Sequence, residues 1–500
     1  VNTELRYDVV VVGSGNAGLC AAISAAQDGA RVCLVEKAPA AERGGNSALT
    51  SGMRIICDNL DDLLALTSYP EGSPERDEVA QGFRPRTGDD YRVETLAVTD
   101  GKADPRMLDV LIRESYPTLR WLKELGNNWV LARLRLSDNL LKMDGGGQAL
   151  QANNFEVARR LGVDFSYDTA AVDLVIGDDG AVRGVRVLDA SGYSVVEGAA
   201  VVLAAGGFEA SAEMRGRYLG KGWDTAAVRG VPYNTGDGLR MALAAGAATA
   251  GSWTTCHGAL QDAARPDFGM PSSAVGGGTE WDRYLYPYGV MVDRNGERFV
   301  DEGSDIPSRT YARMGRVVLE QPGSIAYQIF DAKVRGAGFI NDKYDRGSRA
   351  SADTLEELAQ ILGIDPAGVV DTIERFNASI EHGHEELDVV DVPDGLGTVG
   401  LKPPKSNYAR RIDAPPFEGF PVACGITFTF GGVAIDPETA QVQHTSGHPM
   451  AGLYAAGEMA GGLWHGNYAG GSGMAAGSVF GRIAGRSAAT AALAAREMAR

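Results

Sequence analysis

Unbroken apolar runs meet glycine clusters near both ends of this chain. Early on, Asp8-Val9-Val10-Val11-Val12 leads into Gly13-Ser14-Gly15-Asn16-Ala17-Gly18. A small-residue stretch over 19–28 follows, then Val32-Cys33-Leu34-Val35 and Glu36. Short apolar runs bounded by glycine predict buried strands, and the Ala-rich stretch between them predicts a helix. Over 57–101 the pattern is polar and irregular, with Pro70, Pro74 and Pro85, which predicts a loop-rich insertion with short helices. Leu108, Leu111, Ile112, Leu119, Leu122 and Leu125 recur at helical spacing over 105–126, and Pro117 predicts a break or kink there. Asp144-Gly145-Gly146-Gly147 precedes a helix over 148–161. Strands are predicted over 163–167, 172–176, 182–188 and 193–198, separated by acid-and-glycine turns as in a β-meander. Val201 to Phe208 returns to a buried strand ending in glycines. Tyr233-Asn234-Thr235-Gly236-Asp237-Gly238 opens a helix over 239–247, with Asp237 or Thr235 as N-cap. From Gly251 to about Phe420 the chain is richer in proline, aromatics and charge, with its own helices over 354–362 and 366–381. It reads as a second domain inserted into the first. The opening style returns with Leu453-Tyr454-Ala455-Ala456-Gly457-Glu458, and Gly470-Gly471-Ser472-Gly473-Met474 starts a small-residue helix over 475–494.

The first stretch carries chemistry. Strand, G-x-G-x-x-G, helix, second strand and acid is the order that binds a dinucleotide. Gly13 permits the sharp turn, Gly15 lets a pyrophosphate approach the backbone, and Gly18 lets the helix pack on the strand. The helix N-terminus offers free N–H groups to the phosphates. Glu36 is spaced to accept from a ribose without a 2′-phosphate, as in FAD or NAD. Arg43-Gly44-Gly45-Asn46-Ser47, leading to Thr50-Ser51-Gly52, is a second glycine pair of the kind that supports an extended FAD. The candidate cofactor residues are therefore Gly13, Ser14, Gly15, Ala17, Gly18, Glu36, Lys37, Gly44, Gly45, Asn46, Ser47, Ser51 and Gly52. Later positions join them: Ala205, Gly206, Gly207, Asp237, Gly457, Glu458, Gly473 and Met474. The helix beginning there either stabilises negative charge on a reduced flavin through its dipole or simply packs on the sheet. Gly145-Gly146-Gly147 is either a flexible turn or a close approach to the flavin.

Composition narrows the partners. The 500 residues carry a formal charge of -18, which opposes nucleic acids and anionic membranes but not a small anionic substrate. Cys20, Cys33, Cys57, Cys256 and Cys424 have no paired spacing, so no zinc site, iron–sulfur cluster or covalent haem is expected, and no metal. Reduced thiols, no room for a signal peptide and no apolar run of membrane-spanning length lead to the expectation of a cytoplasmic protein.

Taken together, the motifs resemble the fumarate reductase/succinate dehydrogenase flavoprotein superfamily. The resemblance rests on Gly13–Gly18 with Glu36, Gly44-Gly45, Leu203 to Phe208, Thr235-Gly236-Asp237-Gly238, Gly296 to Glu302 and Ala455-Ala456-Gly457-Glu458. Within it, Val228-Arg229-Gly230, Cys256-His257, Ser324 to Tyr327, Pro403 to Ser406 and Gly425 to Phe430 are most similar to tricarballylate dehydrogenases. The resemblance implies an α/β fold: a Rossmann-like FAD-binding domain of glutathione-reductase type, interrupted by an α+β capping domain. The FAD domain would comprise 1–250, with a helical insertion at about 57–140, and 421–500; the cap would comprise 251–420. It also implies hydride transfer between flavin N5 and a carbon–carbon pair of a small, tricarballylate-like carboxylic acid. An external electron acceptor is implied too, such as a membrane-associated iron–sulfur/haem protein. No histidine precedes His257, so the covalent flavin linkage of succinate dehydrogenases is excluded and FAD is expected to be non-covalent. Fumarate reductases have a carboxylate-clamping histidine where this chain has Phe428, and an arginine near Tyr468. Tyr468-Ala469-Gly470-Gly471 resembles 3-ketosteroid 1-dehydrogenases, which implies a cyclic ketone as an alternative substrate. A flavoprotein monooxygenase is a further alternative.

Desaturation needs a hydride acceptor, a base for the neighbouring proton, and stabilisation of the charge that develops. Arg309 and Arg313, following Glu302 in the region of the superfamily's proton-shuttle arginine, and Arg229 are candidates to meet a carboxylate. His257 stands where the superfamily places a substrate-contacting histidine; otherwise it is a buried structural histidine. His465 would touch substrate or the flavin edge. Tyr468 is a donor to a ketone or carboxylate, or an aromatic wall. Thr279-Glu280 faintly matches a substrate-contacting pair. His382, His384, His444 and His448 lie in polar, turn-like segments and read as solvated.

Overall fold

The computed structural model describes residues 6–50, 52–83, 85–131, 140–269, 280–381, 383 and 386–498. Strand Arg6–Val12 lies at the centre of an eight-stranded sheet, parallel to Val32–Val35 on one side and to Gly192–Leu203 on the other. Asp164–Ser166 and Pro449–Ala455 extend the parallel order outward. Val9, Val10 and Val11 are fully buried, as expected of a run covered on both faces. Helix Asn16–Gln27 covers one face and is itself crossed by helix Ser472–Met498. The crossing is close because glycine faces it: a Cβ on Gly481 would lie 2.4 Å from the Ala17 carbonyl oxygen. The small-residue composition of the last helix therefore brings the two ends of the chain together.

Two elements differ from expectation. The strands predicted over 193–198 and from 201 are one strand, Gly192–Leu203. Its first half pairs with Val182–Asp189 and its second half with the central parallel strands. The glycine at 198 does not break it; a change of partner midway along the strand is invisible to periodicity. Pro117 likewise sits inside an unbroken helix, Pro105–Glu124, whose apolar stripe is held in the core. In the insertion, Leu60–Leu66, Pro74–Gly82 and Gly88–Val98 are short helices with Asn59, Ser73 and Thr87 as side-chain N-caps. The helix starting at Asp237 has Gly236 as its N-cap, while Thr235 bonds the Asp237 carboxylate.

A second sheet of six strands is organised around Phe417–Val433, which pairs with Thr249–Asp262, Ile325–Phe330, Ala350–Ala352 and Ala227–Val228. Both long strands cross the boundaries expected at 250 and 420, and both lie in the second sheet. The five cysteines are buried. Among the described residues, no helix is long and apolar enough to cross a membrane.

Candidate active site

A continuous cavity of about 780 Å³ runs between the two sheets. Its first half follows the glycine fingerprint. Gly13, Ser14, Gly15 and Ala17 line it, as do Glu36 and Lys37, and Gly45, Asn46, Ser47 and Gly52. Ala205, Gly206, Asp237, Gly457, Glu458, Gly473 and Met474 complete this wall. Gly18, Gly44 and Gly207 stand just behind it. Gly18 packs the helix on its strand so closely that a Cβ would lie 1.9 Å from the Gly13 oxygen. Ser51 lies outside the described residues.

The cradle is pre-organised for a dinucleotide. The Glu36 carboxylate accepts from the Ser14 N–H at 2.8 Å, the Ser14 hydroxyl at 2.7 Å and the Ala38 N–H at 2.7 Å. It therefore braces the turn as well as facing the cavity. Lys37 donates to Thr235 and Asp237, both at 2.5 Å, which fixes a cation at the cavity wall. The helix start at Asn16, whose N–H donates to the Ser47 hydroxyl at 3.0 Å, and the backbone-rich wall make a donor set that fits a dinucleotide such as FAD.

Beneath this wall is a carboxyl pair. Glu209 is fully buried; its Oε1 accepts from Asn46 at 2.8 Å and Asn234 at 2.6 Å. Glu458 Oε1 accepts from the Thr429 N–H at 2.6 Å and its hydroxyl at 2.9 Å. The two carboxyls are buried neighbours that raise each other's cost of ionising, which favours a proton on one of them. Burial, and then the charge of Glu458, hold Glu209 well above the usual carboxylate range, so Glu209 carries that proton. Gly207 makes the arrangement possible, since a Cβ there would lie 2.0 Å from Glu458 Oε1.

The other half of the cavity is aromatic. His257 faces Phe428 across the strand pair, beside register shifts that re-aim the strand. Its ring lies edge-on to Tyr311, with centroids 4.9 Å apart, and to Tyr468 at 5.1 Å. The Tyr311 hydroxyl donates to the Tyr468 oxygen at 2.7 Å, and the Gly471 N–H donates to the same oxygen at 3.3 Å. Burial and the neighbouring Tyr468 push Tyr311 well above its ordinary value. Burial, then the charge of Arg229, hold His257 well below its own, so it is a neutral imidazole at pH 7. Arg54, buried, donates from its Nε to the Gly470 oxygen at 3.0 Å and pairs with Glu94 at 3.3 Å. Its backbone N–H bonds the Gly471 oxygen at 3.0 Å, which anchors the loop that presents Tyr468.

Of the five predicted catalytic side chains, the structure brings His257 and Tyr468 together and leaves three outside. Arg309 and Arg313 do not line the cavity. They lie four residues apart on helix Pro307–Leu319, on one face, and Tyr311 between them points the opposite way at about 100° per residue. Arg309 faces Glu94 at 3.7 Å and Asp305 at 3.5 Å, and Arg313 bonds Ser304. His465 is also absent from the wall; it sits near Lys102 and Asp100. Arg229 does line the cavity. Thr279, His382 and His384 lie outside the described residues; Glu280 pairs with Arg346 at 3.1 Å. His448 is exposed, and His444 bonds Ser446. Tyr311, Tyr284 and Arg54 were not found from the sequence. Tyr311 had a signal, a lone aromatic on a helix face between two arginines, but its hydrogen-bond partner Tyr468 is 157 residues away.

The family model for the FAD binding domain matches residues 8–474. A curated relative, the fumarate reductase (cytochrome) of Shewanella frigidimarina, is 30% identical over 477 residues, covering 93% of this chain and 74% of the relative. The 4-oxocyclohex-2-ene-1-carboxylate 5-dehydrogenase of Sinomonas cyclohexanicum is 27% identical, covering 94% of this chain and 91% of the relative. Among solved structures, the open conformation of a flavocytochrome c3 fumarate reductase superposes with a TM-score of 0.73 at 26% identity, covering 98% of this chain and 79% of that one. The chain thus belongs to the FAD binding domain family, within the fumarate reductase/succinate dehydrogenase flavoprotein superfamily, and is an FAD-dependent oxidoreductase acting on CH–CH groups.

Proposed function

We propose that the enzyme desaturates a carbon–carbon bond next to a ketone. The observation that carries this reading is the Tyr311–Tyr468 hydroxyl pair at 2.7 Å, with the Gly471 N–H directed at the same oxygen. Tyr468 accepts two hydrogen bonds there, so its own proton is left to donate to a carbonyl oxygen. Polarising that carbonyl acidifies the adjacent C–H. Tyr311 is the group placed to take the proton, as its phenolate, after the proton it now donates to Tyr468 has left to solvent. The Arg229 charge favours its phenolate, while burial and Tyr468 oppose it. When bound, FAD supplies the two-electron acceptor for the hydride that leaves the neighbouring carbon. The Sinomonas relative is by name a dehydrogenase of a cyclic keto acid, which supports a cyclic ketone as the substrate class. FAD is held non-covalently under a capping domain, and electrons leave to an external acceptor, for which a membrane-associated iron–sulfur/haem protein is a candidate.

The small-carboxylic-acid reading, tricarballylate included, is second. Arg229 in the cavity wall favours it, but Arg309 and Arg313, which it also needs, face elsewhere. The test is anaerobic: candidate substrates are added to the FAD-loaded protein and the oxidised-flavin absorption is followed. Bleaching by a cyclic ketone is expected. Bleaching by tricarballylate or succinate and by no ketone overturns the ketone reading.

A further inference from the structure

Arg229 follows strand Ala227–Val228 and is held by its backbone, its N–H donating to the Ile426 oxygen at 2.7 Å. Its side chain is 13% exposed. Nε and Nη2 grip the two oxygens of Asp282 at 2.9 and 3.2 Å, and Nη1 reaches the Thr427 hydroxyl at 3.3 Å. A guanidinium has five N–H donors. Three are used, and two, one on each terminal nitrogen, have no acceptor among the described residues. Leaving donors of a charged group unmet in a sheltered wall is costly unless something that enters the cavity accepts them.

Other charged groups stand close by. Arg229 and Lys343 both line this half of the cavity, beside the carboxylate of Asp282. Arg265 stands behind Arg229, close enough that burial and the Arg229 charge push it down to about 10. Asp282 and Asp267 face Arg265 in turn. The neutral His257 adds no positive charge.

Resting on the ketone reading above, we infer that the substrate carries an anionic group, a carboxylate, in addition to its carbonyl, and that Arg229, braced by Asp282 and Thr427, is the residue that selects it. The carbonyl goes to Tyr468 and Gly471, and the carboxylate takes the two remaining Arg229 donors. Asp282 is not a competitor for the substrate; it locks the guanidinium plane so that the free donors stay fixed in the wall.

The experiment compares 4-oxocyclohexane-1-carboxylate, its methyl ester and cyclohexanone as reductants of the FAD-loaded enzyme. Binding of 4-hydroxybenzoate and of phenol, neither of which can be desaturated, is measured by calorimetry alongside. The acid is expected to exceed the ester in kcat/KM by roughly 10- to 100-fold, the range of a charged hydrogen bond. The difference should sit in KM, and 4-hydroxybenzoate should bind by a similar factor over phenol. Arg229→Gln with Asp282→Asn exchanges the ion pair for neutral amides and avoids an unpaired buried carboxylate; it should bring the acid-to-ester ratio of kcat/KM and the 4-hydroxybenzoate-to-phenol ratio of affinity close to one, while kcat falls for acid and ester alike because the Arg229 charge also favours the Tyr311 phenolate. Equal use of acid and ester by the unaltered enzyme, with the ketone oxidised, overturns the role of Arg229 and leaves the ketone reading standing. Failure of all three ketones to reduce the flavin overturns the ketone reading itself.

Discussion

The two ends of the cavity are made from different parts of the polypeptide. The dinucleotide end is mostly backbone, small residues and one bracing carboxylate, and much of it comes from residues 12–52. The catalytic end is made of side chains from segments far apart: His257, Tyr311, Phe428 and Tyr468. A backbone cradle tolerates little added volume, because its shape is its function. The aromatic end keeps its shape through ring packing, so its chemistry resides in a few hydroxyl groups that can be removed without collapse.

This contrast orders the expected effects. Gly18→Val should be the most severe, since even a Cβ would lie 1.9 Å from the Gly13 oxygen. We expect a stability loss of about 3 kcal/mol or more, with FAD lost on purification; thermal melting and the flavin-to-protein absorbance ratio report both. Tyr311→Phe and Tyr468→Phe should keep full flavin content and lower kcat by about 10²–10⁴-fold each. The double variant should be little worse than either, because the two hydroxyls act as one unit; strict multiplicativity would separate their roles.

The pH dependence sharpens the assignment. Tyr311 lies well above its ordinary 10, so the fraction able to accept a proton rises with pH throughout the assayable range. Desaturation should climb without a plateau below pH 10, whereas the reverse reduction, which consumes a proton, should not. A plateau between pH 7 and 8 would assign the proton to another group. At the dinucleotide end, the folded protein holds a proton on Glu209 that the unfolded chain releases above about 4.5. Stability should therefore fall as pH rises above that value, by up to about 1.4 kcal/mol per pH unit for this one proton. Glu209→Gln, which keeps a neutral amide in place, should flatten that slope, as chemical denaturation at several pH values would show. The smallest effect is expected for Arg309→Gln: its ion pairs are long and it is 28% exposed, so stability should change by less than about 1 kcal/mol. Turnover should also be nearly unchanged, and a large loss would return Arg309 to the reaction.

Local rules made the cofactor half legible. Gly13, Gly15, Gly18 and Glu36 are set within one strand–helix–strand unit, where spacing along the chain equals position in space. The same rules could not choose among the arginines. Arg309, Tyr311 and Arg313 lie within five residues, and only the packing of their helix on Thr249–Asp262 and Phe417–Val433 decides which face meets the cavity. Nor could they show that Glu209 and Glu458 are buried neighbours, because that depends on Asn46, Asn234 and Thr429 from separate segments. By itself the sequence determined the strand–helix–strand unit and the glycine turns that line the dinucleotide end of the cavity, because these follow from short-range sterics and apolar periodicity. Only the tertiary structure decided which polar side chains face the substrate, because that is settled by long-range packing, in which one step along a helix turns a residue by about 100°.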